Sequence, residues 1–287
     1  MKQKTKQKMV TMLLLGMLVP GLVSCGTKKG EQAPVSEMEK KETVEVTVFA
    51  AASLTETLTE ISELYQKECP EVKLIFNYDS SGTLKTQIQE GAECDLFISA
   101  GQLQMNQMDS SADKEVNTEG LDFVQQDTRI DILENKVTLC VSDESKSDIQ
   151  SFDDLATALK DGNVLMAMGN SDVPVGQYTR KILDYYELDE EKLASTGVIS
   201  YGSNVKEVTT QISEGSVDCG IIYCTDAYSA GLKVTAYATP EMCDQVIYPA
   251  AVMKTGEHQE EAKEFLDFLQ TDECMKIFEK VGFSRVG

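Results

Sequence analysis

The chain has 287 residues, 41% of them hydrophobic and 26% charged, with 19 Gly, 6 Pro and no Trp, which excludes a collagen, a coiled coil or a wholly disordered chain. Its length suits two medium-sized domains, each able to bury a core of its own. With 48 Asp+Glu against 26 Lys+Arg, and only Arg129, Arg180 and Arg285 as arginines, the formal charge of −22 repels phosphate backbones and argues against a nucleic-acid partner.

Lys2, Lys4, Lys6 and Lys8 open the chain, and the apolar run Met9 to Val19 follows. That run is shorter than the ~20 residues of a membrane-spanning helix, so it reads as an export signal. It leads to Leu22-Val23-Ser24-Cys25, which resembles the lipobox of bacterial lipoproteins. The resemblance implies a signal peptide over 1–24 and a lipid on Cys25. Residues 25–43 are polar, with too little apolar surface to offset the entropy of ordering, and read as a tether. The body is therefore expected to be extracytoplasmic and lipid-anchored to the bacterial cell membrane.

From residue 44 onward, strands and helices alternate. VEVTVFAA (44–51) is β-rich; LTETLTEISELYQKE sets Leu54, Leu58, Ile61, Leu64 and Tyr65 on one helical face; VKLIFNY is again a strand. A helix from about Leu84 to Glu90 closed by Gly91, the strand DLFISA (95–100) and a helix through Met105 and Met108 complete a βαβαβα run. After a polar stretch, ENKVTLCVS reads as one strand, FDDLATALKD as a helix, VLMAMGN as a strand, GQYTRKILDYYEL and NVKEVTTQISEG as helices, and VDCGIIYC as a strand. The chain then passes through VTAYATP to the strand QVIYPAAVM and one last helix, EEAKEFLDFLQTDECMKIFEKV. Alternation of this kind predicts α/β architecture with largely parallel sheets covered by helices. The segment QEGAECDLFIS (89–99) has an echo in SEGSVDCGIIYC (213–224), which suits one αβ turn used at the same topological place in two units.

Seven cysteines follow Cys25: Cys69, Cys94, Cys140, Cys219, Cys224, Cys243 and Cys274. Several lie in apolar strand-like runs and read as buried thiols, although a disulfide among them stays open. No C-x-x-C pair is present, and the single histidine, His258, lies in a charged segment, so no zinc site is expected.

Open α/β sheets bind ligands beyond the carboxyl ends of their strands, which directs attention to four helix starts. Ser53 and Glu56 fit a capping box after the first strand. Asp79-Ser80-Ser81-Gly82-Thr83 leads into the second helix. Pro174, in Asp172-Val173-Pro174-Val175-Gly176, pre-sets helical backbone, and Asn204 is a plausible N-cap. Helix N-termini expose unpaired N–H groups and partial positive charge, so several converging on one cleft form an anion site without a basic side chain. Tyr223, closing the strand GIIY, offers a hydroxyl donor, or else a core aromatic.

VTVFAAASL, DSSGTLKTQI, GAECDLFISA, GNSDVPVGQY, CGIIYCTDA and the ending IFEKVGF, in this order, resemble the molybdate-binding proteins (ModA type) of bacterial ATP-driven uptake systems. The resemblance implies a two-lobed periplasmic-binding-protein fold of type II with a tetrahedral oxyanion, molybdate or tungstate, in the interlobe cleft, and no other cofactor. One lobe would span 44–136 plus 248–287 and the other 137–247, with VTLCVS and IYPAAVM crossing between them. Ser53 and Ser81 would give hydroxyl and backbone N–H groups, Val175 and Val205 backbone N–H groups, and Tyr223 its hydroxyl. The implied partner is an ABC transporter permease, served by a monomer. Asp79 departs from the family, which usually has an uncharged residue there; it is expected to face solvent or cap the following helix. A phosphate or sulfate binder is the alternative within this class. A serine hydrolase around Ser53 or Ser81 is the alternative outside it, disfavoured because G-x-S-x-G is absent and His258 is the only imidazole.

Overall fold

The computed structural model describes residues 43–286, so the expected signal peptide, Cys25 and nearly all of the tether lie outside the described residues. In chain order the elements are β1 (Val44–Ala51), α1 (Thr55–Glu68), β2 (Val72–Asp79), α2 (Ser81–Gln89), β3 (Leu96–Ile98), α3 (Gln102–Asn106), β4 (Ile130–Asn135), β5 (Val137–Val141), α4 (Phe152–Asp161) and β6 (Met166–Gly169). There follow α5 (Pro174–Tyr185), α6 (Glu190–Ser195), β7 (Ile199–Gly202), α7 (Val205–Ser213), β8 (Cys219–Tyr223), α8 (Cys224–Ser229), β9 (Val234–Tyr237), β10 (Val246–Val252), α9 (Gln259–Leu269) and α10 (Asp272–Val281).

The strands form two five-stranded sheets, ordered β2-β1-β3-β10-β4 and β7-β6-β8-β5-β9. In the first, β1 runs parallel to β2 and β3 while β10 opposes β3 and β4. In the second, β6 runs parallel to β7 and β8 while β5 opposes β8 and β9. Each sheet thus has one strand against the direction of the rest, and that strand arrives directly from the other sheet. The first crossing is abrupt: Lys136 alone separates β4 from β5, its N–H held by the Asn135 side-chain oxygen at 2.8 Å, whereas residues 238–245 carry the second. Apolar residues from both sheets and their helices, from Val46 and Leu58 to Ile221 and Phe278, share one large buried core, and a second cluster around Phe49, Phe97, Leu84 and Met105 packs against the other face of the first sheet.

The sequence echo has a structural cause. Asp95, one residue before β3, donates its N–H to the Thr47 carbonyl at 2.9 Å and takes the Thr47 N–H on its carboxylate at 2.7 Å. Asp218, one residue before β8, makes the same pair of bonds to Leu165, both at 2.9 Å. Thr47 and Leu165 stand in equivalent register, since Val48 pairs with Leu96 and Met166 with Cys219. Each carboxylate also holds a second segment: Asp95 takes the His258 N–H at 2.8 Å, and Asp218 the Ser145 hydroxyl at 2.8 Å.

Several boundaries differ from the expectation. ENKVTLCVS is two strands in two sheets, because Glu134 and Asn135 close β4 while Val137–Val141 is β5, and a continuous strand-like pattern does not reveal where the chain changes sheet. The final helix is two, broken where extended Thr271 caps the Cys274 N–H with its side chain. Helix α2 starts at Ser81 rather than Leu84, because Ser80 takes the Thr83 N–H at 3.1 Å. The elements β4, α6, β7 and α8 have no counterpart of their own in the expectation, and α6, β7 and α8, at six residues or fewer, are too short for a periodic signal. All seven described cysteines are free thiols, and every one except Cys69 is buried.

Since Asp95 is buried and satisfies two backbone amides, Asp95→Ala should lower the unfolding free energy by about 2–3 kcal/mol, the scale of hydrogen bonds to a charged group. Urea unfolding measures this, and a change below about 0.5 kcal/mol would remove the clamp from the list of stabilising contacts.

Candidate functional site

The three parallel strands β1, β2 and β3 of one sheet, and β6, β7 and β8 of the other, end toward a common small cavity. Its wall takes Ala51, Ala52 and Ser53 at the end of β1 and just beyond it, Asp79, Ser80 and Ser81 likewise at the end of β2, and Ala100 after β3. From the second sheet come Val173, Pro174 and Val175 after β6, Val205 after β7, and Tyr223 at the end of β8. The five residues expected at the site, Ser53, Ser81, Val175, Val205 and Tyr223, are thus brought together in one wall.

Each is placed by its helix start. Ser81 opens α2; its hydroxyl oxygen accepts the Ala100 N–H at 2.9 Å, leaving the hydroxyl hydrogen for another acceptor. Pro174 is the first residue of α5 and Val175 the second, where α-helical geometry leaves N–H groups without an intrahelical acceptor. Gly176 permits this: a Cβ there would lie 2.2 Å from the Gly169 carbonyl oxygen, so α5 starts against the end of β6. Asn204 caps α7 as expected, taking the Glu207 N–H at 3.0 Å and presenting Val205 as the first helical residue. Tyr223 is buried, and burial first, then neighbouring Tyr248, holds its phenol well above the usual tyrosine range. It remains a donor, and gives a bond of 3.3 Å to the Ala100 carbonyl.

Two expectations fail here. Ser53 is no helix cap: it lies in a short 3-10 turn, Ala52–Leu54, and α1 begins without a side-chain cap. Its Oγ sits 2.9 Å from the Tyr248 hydroxyl instead, a partner too distant in sequence for any local pattern to indicate. Asp79 neither caps α2, a role taken by Ser80, nor turns away from the cleft. It lines the cavity, takes the Ser80 N–H at 2.7 Å, and lies 3.5 Å from the Asn204 amide nitrogen of the facing helix.

The two walls touch. Gly82 donates its N–H to the Asp172 carbonyl at 3.0 Å, and a Cβ on Gly82 would come within 2.3 Å of that oxygen. Tyr223 reaches Ala100, and Lys206 of α7 holds both carboxylate oxygens of Glu56 in α1 at 2.8 Å. Gly82→Ala should therefore hold the walls apart while leaving the secondary structure intact. The expected result is an unchanged circular dichroism spectrum with a larger radius of gyration in small-angle scattering; an unchanged radius would mean that the contact does not set the cleft width.

Lys206 also lies 3.4 Å from the carboxylate of Asp226, which is fully buried and has no hydrogen-bond partner among the described residues. Burial pushes this carboxyl up to about 6, against the pull of Lys206. A carboxyl raised in the folded state favours folding below its unfolded value, and that advantage is lost as pH rises through about 6. Relative to Asp226→Asn, the wild type should lose about 3 kcal/mol between roughly pH 4 and 7, at 1.36 kcal/mol per pH unit. Denaturant unfolding across that range measures it, and a difference independent of pH would contradict it. Nothing in the sequence singled out Asp226, Lys206 or Tyr248, which act through contacts between distant segments.

Two facing sheets with a donor-lined cavity at the ends of their parallel strands define a two-lobed solute-binding protein of the periplasmic-binding-protein type II fold. Residues 46–284 match the family model of bacterial extracellular solute-binding proteins, and the chain belongs to that family. Within it the chain is ModA-like. It is 32% identical over 275 residues to a Bacillus subtilis protein named as an ABC transporter substrate-binding lipoprotein, YvgL, covering 95% of this chain and 97% of that one. It is 29% identical to the molybdate-binding protein ModA of Haemophilus influenzae, over 83% of this chain and 89% of the relative. A solved substrate-binding domain from Clostridium difficile, ascribed to a molybdenum ABC transporter, superposes with a TM-score of 0.59 at 33% identity, over 85% of this chain and all of the other. These relatives are solute-binding proteins, and proteins of this class deliver their ligand to an ABC transporter permease. Among the described residues, no helix is long and apolar enough to cross a membrane.

Proposed function

We propose that the protein captures molybdate or tungstate outside the cytoplasm and hands it to the permease as a lipid-anchored monomer, with Cys25 carrying the lipid. The observation that carries this reading is the chemistry of the cavity wall. It offers hydroxyl groups of Ser53, Ser81 and Tyr223 and first-turn amides around Val175 and Val205, with no Lys, Arg or His. A fully deprotonated dianion has acceptors on every oxygen, so fixed N–H and O–H donors satisfy it, and the helix N-termini supply partial positive charge. No side chain in the wall can serve as a histidine base, which leaves the serines as ligands and not nucleophiles.

The donors divide between two lobes, 44–136 plus 248–287 and 137–247, so the anion satisfies both sets only when the walls approach. Binding then favours the closed arrangement, with Lys136 and the chain between β9 and β10 as hinges. Tyr223 has one hydroxyl hydrogen, and a charged ligand oxygen competes for it with the Ala100 carbonyl at 3.3 Å.

Thermal shift against molybdate, tungstate, sulfate and phosphate tests the class, since a ligand that binds only the native state raises stability by RT ln(1 + [L]/Kd). A rise with molybdate or tungstate is expected, and none with any oxyanion would refute the reading. Tyr223→Phe should weaken molybdate binding about ten- to a hundredfold, the worth of one hydrogen bond to a charged oxygen. Equal affinity by calorimetry would remove Tyr223 from the ligand set. One observation favours a second reading, hydrogen phosphate: the Asp79 carboxylate in the wall is an acceptor for a P–OH proton. Phosphate outcompeting molybdate on the wild type, and losing that advantage on Asp79→Asn, would decide for it.

A further inference from the structure

The side chain of Asn135, last in β4, is buried between the two sheets. Its Oδ1 accepts the Lys136 N–H at 2.8 Å and faces the Cys224 thiol at 3.3 Å. Both neighbours are donors, which fixes the orientation of the amide. Its Nδ2 must then be the group that donates one hydrogen to the Thr225 hydroxyl at 2.9 Å and the other to the Tyr248 hydroxyl at 3.1 Å.

Tyr248 is wholly buried, and its ring is held edge-on against Tyr223 and Phe283, with centroids at 5.9 and 5.3 Å. Its oxygen accepts from Asn135, and the other polar atom beside it is Ser53 Oγ at 2.9 Å. Were Ser53 the donor of that contact, the phenolic hydrogen would be buried without an acceptor, at a cost of roughly the full desolvation of the group. All polar groups are satisfied when Asn135 donates to Tyr248 and Tyr248 donates to Ser53. Ser53 Oγ is then occupied as an acceptor from behind, and its own hydrogen is released toward the cavity it lines.

We infer that Tyr248 and Asn135 are positioning residues that fix Ser53 as a donor toward the bound anion and thereby set its preference for a fully deprotonated oxyanion. The inference rests on Ser53 being a ligand group, as proposed above. With one of its two lone pairs engaged and its hydrogen directed at the cavity, such a serine offers hydrogen phosphate a donor where the P–OH needs an acceptor. Without Tyr248 the hydroxyl rotates freely and serves either role. None of this is visible in a ligand list, because neither Tyr248 nor Asn135 lines the cavity.

The test is a double-mutant cycle read by calorimetry with molybdate, on the wild type, Ser53→Ala, Tyr248→Phe and the double variant, with hydrogen phosphate run as competitor. Tyr248→Phe should weaken molybdate binding about tenfold when Ser53 is present and less than about twofold in the Ser53→Ala background, while phosphate loses little. Equal losses in the two backgrounds, or equal losses for the two anions, would overturn the inference and leave Tyr248 as a packing residue. Ser53→Ala binding molybdate as tightly as the wild type would instead sink the assignment of Ser53 as a ligand. Asn135→Asp serves as a second variant: a carboxylate there accepts from Tyr248, reverses the chain and turns the Ser53 hydrogen away from the cavity. It should approach Ser53→Ala in molybdate affinity, and wild-type affinity in a folded Asn135→Asp protein would count equally against the inference.

Discussion

Gly82, in the first turn of α2, gives its amide to the carbonyl of Asp172 in the turn after β6, and there is no room between them for a single methyl group. This close approach of two backbones sets the scale of the cleft. With the walls this near, a hydroxyl on one side reaches a carbonyl on the other, as Tyr223 does with Ala100. A tetrahedral anion presents its oxygens in all directions, so donors on one wall alone leave some of them unpaired. The short path between walls is therefore what makes a small, donor-lined pocket achievable from two separate sheets.

The charge of the protein makes the same point from another direction. At −22 overall, with Asp79 in the wall and Asp226 buried close by, the surroundings of the pocket are hostile to a dianion at long range. For the proposed dianion the compensation is local. Amides at the starts of α5 and α7 carry partial charge that acts at contact distance, where water and salt do not screen it. Lys206 balances Asp226 and Glu56 and does not enter the cavity wall. Selectivity built from dipoles favours ligands with many acceptors, whereas a lysine or arginine would attract any anion.

Much of this was legible in the sequence, for identifiable reasons. The alternation of apolar strands and amphipathic helices gave the architecture, and Pro174 and Asn204 marked helix starts because their effect on backbone is local. The echo between the Asp95 and Asp218 segments reflects one clamp used twice, a two-bond requirement that preserves an aspartate before an apolar strand. What escaped was set by distant partners. Ser53 looked like a cap because Glu56 lies three residues on, but Tyr248 holds it from another strand. The sheet change at Lys136 left no mark, since one residue alone intervenes and no Gly or Pro separates the two strands. Asn135, by type an ordinary surface residue, is the buried joint between the sheets because four donors and acceptors from three segments meet there.

The reciprocal exchange of strands also governs how the chain reaches this state. In the first sheet β10 lies between β3 and β4, buried along its whole length, and it is supplied by residues 246–252. Before that segment is available, β3 and β4 have no contact through which to complete the sheet, and the first crossing at Lys136 has no counterpart to hold it. Folding therefore waits on contacts between residues more than a hundred positions apart, which places the chain among slow folders.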